Sequence, residues 1–123
     1  MNRGPLILIV EDNLGNQLLT SSVLARAGYQ VALAESSVEA LERVAAHRPD
    51  LILMDVQLPG MDGLSLARTL KATRETADIP IVALTAHAMN GDREHAFTAG
   101  CVGYISKPID TRTFGDQVRR FLR

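Results

Sequence analysis

Four short apolar runs in this chain each end on a polar residue. Leu6-Ile7-Leu8-Ile9-Val10 meets Glu11-Asp12, and Leu51-Ile52-Leu53-Met54 meets Asp55. Ile79-Pro80-Ile81-Val82-Ala83-Leu84 meets Thr85, and Gly103-Tyr104-Ile105-Ser106 meets Lys107-Pro108. Runs this short and this uniformly apolar suit strands covered on both faces. An ionisable group at the mouth of such a strand costs solvation, so its placement calls for an explanation. In a parallel sheet the C-terminal ends share one edge, where α/β proteins build their sites.

Helical stretches separate the runs, the alternation that makes β/α units on a parallel sheet. Strands are expected over 6–10, 30–34, 51–54, 79–84 and 102–106, the second being more polar, as an edge strand can be. A first helix is expected over 13–27 with Leu19, Val23 and Ala27 inward, ended by Gly28 in a left-handed C′ position. Ser36-Ser37-Val38-Glu39 reads as a capping box opening a second helix, with Ala40, Leu41, Val44 and Ala45 inward. A third helix follows Asp62-Gly63, carrying Leu64, Leu66, Ala67 and Leu70. A fourth covers 90–99 and stops at Gly100. Asp110 is expected to cap a fifth, with Phe114, Val118, Phe121 and Leu122 inward. These elements use up all 123 residues, so residues 1–123 are expected to form a single domain.

Composition narrows the function classes. The net charge of −1 lacks the footprint of a nucleic-acid binder, and direct nucleic-acid binding is not expected. No apolar run is long enough for a bilayer span, and Met1-Asn2-Arg3-Gly4-Pro5 does not read as a signal peptide. The single cysteine, Cys101, rules out an internal disulfide and the usual zinc spacings. A cytoplasmic domain without membrane insertion is the expectation.

The strand-end residues suit phosphoryl chemistry. A carboxylate such as Asp55 can attack phosphorus and carry an acyl phosphate. The barrier is electrostatic, so positioning and charge neutralisation dominate. Glu11 and Asp12 beside Asp55 would nest a hard divalent cation, magnesium or manganese. Lys107 would bring a positive charge to a phosphoryl oxygen, and Thr85 a hydroxyl. Each residue alone has a structural reading: Glu11-Asp12-Asn13 as a helix cap, Asp55 as a turn residue, Thr85 as a strand residue and Lys107 as a solvated strand-end lysine. All four readings together require independent accidents on one edge.

The sequence resembles the receiver domains of two-component response regulators. The resemblance rests on Ile9-Val10-Glu11-Asp12-Asn13, Leu53-Met54-Asp55-Val56-Gln57-Leu58-Pro59-Gly60-Met61-Asp62-Gly63, Leu84-Thr85-Ala86 and Ser106-Lys107-Pro108, in the family's order and over essentially the whole chain. It implies a flavodoxin-like, doubly wound (βα)5 fold with a parallel sheet in order 2-1-3-4-5. Asp55 would be the phospho-acceptor, with Asp12 and Asp55 direct magnesium ligands, Glu11 acting through water and the backbone carbonyl of Gln57 a further ligand. Thr85 and Lys107 would bind the phosphoryl group, with Pro108 following a cis peptide. Thr85 and Tyr104 would form a switch working on the surface of helix four, strand five and helix five. Gln57 and His87 would tune phosphate lifetime, His87 by titrating near neutrality.

The donor would be a phosphohistidine on a histidine kinase or phosphotransfer protein, with Leu14 and Leu18 helping to dock it. Such a domain catalyses only its own phosphorylation and dephosphorylation, as a monomer or a phosphorylation-dependent dimer. The motifs are most similar to single-domain cell-cycle regulators and to receivers of hybrid sensor kinases, so a stand-alone regulator and a receiver cut from a hybrid kinase both stand. The competing readings are an aspartyl-nucleophile phosphatase, which would want Asp where Gln57 stands, and a flavodoxin-like cofactor binder, whose phosphate loop Glu11-Asp12-Asn13 would repel. A pseudo-receiver acting only as a protein-binding module is the last.

Overall fold

In the computed structural model, residues 4–56, 63–85 and 93–122 are described. Strands β1 (Leu6–Val10), β2 (Gln30–Ala34), β3 (Leu51–Asp55), β4 (Ile81–Thr85) and β5 (Gly103–Ser106) alternate with helices α1 (Leu14–Arg26), α2 (Ser37–Ala46), α3 (Gly63–Ala72), α4 (Arg93–Thr98) and α5 (Phe114–Phe121). All strand pairs are parallel, and the sheet order is β2-β1-β3-β4-β5.

Strand alternation divides the core in two. Ile7, Ile9, Leu51, Leu53, Val82, Leu84 and Ile105 face one side, packed with Leu24 of α1 and Phe114 and Val118 of α5. Leu8, Val10, Ile52, Met54, Ile81 and Ala83 face the other, under Ala40 and Val44 of α2, Leu66, Ala67 and Leu70 of α3 and Ala96 of α4. Both faces of the central strands are therefore buried, which is why their sequences lack polar alternation.

Local chemistry sets the element ends. Asn13 caps α1 by accepting from the Asn16 N–H at 2.9 Å, and Ser36 caps α2 by accepting from the Glu39 N–H at 3.2 Å. Gly28 has φ +98° and Gly100 φ +106°, left-handed positions just past α1 and α4 that favour glycine. At Gly100 a side chain would also press on Lys71, whose ammonium donates to the carbonyls of Ala77 (2.9 Å) and Ile79 (2.7 Å).

Several expected details are corrected. The buried stripe of α1 is Gln17, Thr20 and Leu24, with Val23 and Ala27 at its margin, and Leu19 is exposed. Leu41 and Ala45 of α2 are exposed because Ser37, Ala40 and Val44 fill its inner face. Asp110 does not cap α5. It opens the preceding turn, accepting from Arg112 N–H through its carboxylate and from Thr113 and Phe114 N–H through its carbonyl. Strand β4 begins at Ile81 and β5 at Gly103, each later than expected, while β3 extends to take in Asp55. The proposed beginning of the fourth helix at residue 90 lies outside the described residues.

Candidate functional site

Three strand ends converge on one acidic cluster. Glu11 follows β1, and its N–H donates to Ala34 of β2 at 2.9 Å, so the chain leaves the sheet still tethered. Asp55 is the last residue of β3 and continues the Leu51–Leu53 alternation toward the α1 and α5 side. Lys107 lies one residue beyond β5, where its N–H donates to the Thr85 carbonyl at 2.9 Å and its peptide to Pro108 is cis. Continuing the alternation of Ile7–Ile9, Leu51–Leu53 and Ile105 aims residues 11, 55 and 107 at one another.

The contacts bear this out. Lys107 Nζ lies 3.0 Å from Asp55 Oδ2 and 3.1 Å from Glu11 Oε1, bridging two buried carboxylates while remaining 22% exposed itself. The second Glu11 oxygen accepts from the Asn13 N–H at 3.2 Å. This places the longer glutamate arm folded back along its own loop. Asp12 is exposed, and Glu11, Asp12 and Asp55 can bring carboxylate oxygens within 4.8 Å of one another. Concentrated negative charge made only of oxygen donors, open on one side, fits a hard divalent cation.

Burial holds the Glu11 carboxyl above its ordinary range, and its hydrogen bond with Asp55 pushes the same way. Lys107 and the Asn13 N–H oppose that shift without overcoming it. For Lys107, burial works against the charge, but hydrogen bonds to Asp55 and Glu11 and their negative charges outweigh it and raise the ammonium pKa. The cluster is an electrostatically loaded site whose two buried carboxylates are bridged by the Lys107 ammonium. Such perturbation in a cleft marks functional positions.

Thr85 ends β4 buried, on the face opposite to Asp55, with Ala83 before it. Tyr104 pairs in register with Ala83, so Thr85 and Tyr104 are diagonal neighbours on that face. Tyr104 is half-buried and meets Phe97 of α4 edge to face, with centroids 6.5 Å apart at 88°. On α1, Leu14 and Leu18 are 65% and 57% exposed. Gln57 and His87 lie outside the described residues.

Two supporting residues escaped the sequence reading. Gln17 of α1 is buried and donates its side-chain amide to the Glu11 carbonyl. Its only sequence signal is its place in the stripe 17, 20, 24, 27, which a search for apolar residues passes over. Gly63 starts α3 directly behind Asp55, and a Cβ there would collide with the Asp55 carbonyl oxygen. Glycine at this point allows close backbone approach.

The chain is an α/β protein with a parallel five-stranded sheet and an acid cluster at its C-terminal edge, and the family comparison gives its class. Residues 7–119 match the response regulator receiver domain, and the chain belongs to that family of two-component signalling proteins. It is 42% identical over 116 residues to the polar-differentiation response regulator DivK of Brucella ovis, covering 94% of both chains. Among solved structures it is similar to the receiver domain of a sensor histidine kinase from Pseudomonas aeruginosa, determined with magnesium coordinated in the active-site cleft. That match has TM-score 0.88 and 38% identity, over 96% of this chain and 97% of the other. A chemotaxis response regulator of Vibrio cholerae superposes with TM-score 0.91 at 27% identity, over 97% and 99% of the chains. No helix among the described residues is long and apolar enough to cross a membrane.

Proposed function

We propose that the chain, as a single receiver domain over residues 1–123, accepts a phosphoryl group on Asp55 from a phosphohistidine. The observation that carries this is the Lys107 ammonium bridging Asp55 and Glu11 beside Asp12. An Asp55 carboxylate oxygen attacks phosphorus, the N–P bond of the donor breaks, and the imidazole leaves as the base. Magnesium, or manganese in its place, would be held by Asp12, Asp55 and the Gln57 backbone carbonyl, with Glu11 acting through water, and would neutralise charge on the phosphoryl oxygens.

The remaining roles belong to this chain's own groups. Lys107 transfers its hydrogen bonding from Asp55 to a phosphoryl oxygen, and the Thr85 hydroxyl donates to another. Inward movement of Thr85 frees space on the face it shares with Tyr104, which rotates away from Phe97 and changes the α4–β5–α5 surface. Gln57 and His87, two residues after Asp55 and Thr85 in the sequence, set the lifetime of the acyl phosphate. Leu14 and Leu18 dock the histidine-bearing helix of a histidine kinase or phosphotransfer protein; their exposure supports this. The domain works in the cytoplasm, catalyses only its own phosphorylation and dephosphorylation, binds no nucleic acid directly, and is a monomer or dimerises on phosphorylation.

Intact mass after incubation with magnesium and acetyl phosphate tests the reading. Gain of one phosphoryl group, lost in Asp55→Asn and without metal, is expected. Labelling of Asp55→Asn equal to the parent's would overturn it.

A further inference from the structure

The peptide group joining Glu11 to Asp12 carries both acids of the candidate metal site, so its placement sets where their side chains begin. Three contacts immobilise Glu11 before that peptide is reached: its N–H donates to Ala34, and its carboxylate oxygens accept from Lys107 and Asn13. Among the described residues, the side chain that holds the peptide's own oxygen is that of Gln17. Because a carbonyl only accepts, the Gln17 amide nitrogen must face it. Gln17 is 4% exposed, and its backbone is fixed in the first turns of α1 by its N–H bond to Asn13 at 2.9 Å. A polar side chain in the buried stripe of a helix is costly unless it is hydrogen-bonded. Here the partner is the main chain of the site.

We infer that Gln17 is a positioning residue for cation binding: it clamps the Glu11–Asp12 peptide and thereby holds both carboxylates at the spacing a divalent ion needs. The inference rests on the reading of Glu11, Asp12 and Asp55 as the cation site. Gln17 touches neither the cation nor the phosphoryl group. Its effect is on the geometry of residues that do, as with hydrogen bonds behind other metal ligands.

Manganese alone, titrated and read by electron paramagnetic resonance of the free ion, tests this without any phosphoryl donor. Gln17→Met keeps the volume and helix propensity and removes the donor. Its manganese Kd is expected to rise about tenfold. Val44→Ala, a core truncation in α2 on the other face of the sheet, controls for general loss of stability and is expected to keep the parent's Kd. If Gln17→Met does not fold, Gln17→Asn carries the same test, since its amide stops one methylene short of the carbonyl. Asp12→Asn separates the two levels. Loss of manganese in Asp12→Asn with a parental Kd in the Gln17 variant overturns the clamp and leaves the site standing. Parental binding in Asp12→Asn overturns the site and the clamp together.

Discussion

Gly63 stands so close behind Asp55 that a Cβ on it would collide with the Asp55 carbonyl oxygen and lie 2.9 Å from the Val56 Cα. The first turn of α3 is thus pressed onto the strand end that carries the central carboxylate, and the Gly63 N–H donates to the Val56 carbonyl at 3.3 Å. Both obstacles are backbone, so neither can rotate aside. Gly63→Ala must move α3 or the end of β3, at a cost of about 1–3 kcal/mol. A lower urea midpoint is expected, together with slower acetyl phosphate labelling of the protein that remains folded. A midpoint equal to the parent's would show that the two elements give way freely.

Lys107 pairs its ammonium with both members of the buried pair Glu11 and Asp55. Removing one partner of such an arrangement leaves uncompensated charge, which costs about 3–5 kcal/mol when fully buried and less here, where Lys107 is partly exposed. Lys107→Met is therefore expected to melt earlier than the parent in metal-free buffer. Added magnesium should recover more stability in the variant than in the parent, because the ion then supplies the missing charge. Melting curves with and without magnesium read both effects, and equal magnesium-induced shifts would contradict the argument.

Leu14 and Leu18 have little to lose on truncation, since neither is buried. The double substitution to alanine is expected to change stability by no more than about 0.5 kcal/mol each and to leave labelling by acetyl phosphate unchanged. Transfer from a phosphohistidine protein should fall at least about tenfold, the equivalent of roughly 1.4 kcal/mol of docking energy. Equal rates from the protein donor would move the docking surface elsewhere.

Cys101 is buried two residues before β5, and desolvation pushes its thiol up to about 11 despite the nearby Lys71 charge. A thiol whose folded pKa is raised contributes stability that is complete below its ordinary value of about 9 and is lost as pH rises toward 11. At pH 8 the folded protein should react with a disulfide reagent on the order of a hundredfold more slowly than the urea-unfolded chain. Comparable rates in the two states would show that Cys101 is open to solvent.

Much of this architecture was legible along the chain because it depends on local rules. Strands β1 and β2 lie where their composition puts them, Asn13 lies within the expected start of α1, and Gly28 ends it in the left-handed conformation. Expectation failed where polar residues took buried places. The inner face of α1 holds Gln17 and Thr20 and leaves Leu19 outside, because the strand-end carbonyl of Glu11 needs a donor more than the core needs another leucine. Asp110 had the right chemistry for a cap, yet the turn from 110 to 113 delays α5 until Phe114 reaches the core.

The candidate site divides the same way. By itself the sequence determined which groups stand at the strand ends and in what order: Glu11 and Asp12, then Asp55, Thr85 and Lys107. Strand period and the parallel β/α pattern require no more than neighbouring residues to be read. Only the tertiary structure decided that Lys107 bridges Glu11, 96 residues away, to Asp55, that Gln17 reaches back to the Glu11 carbonyl, and that Gly63 backs Asp55. Those contacts depend on how helices seat on the sheet to within an ångström, a packing outcome that no local pattern encodes.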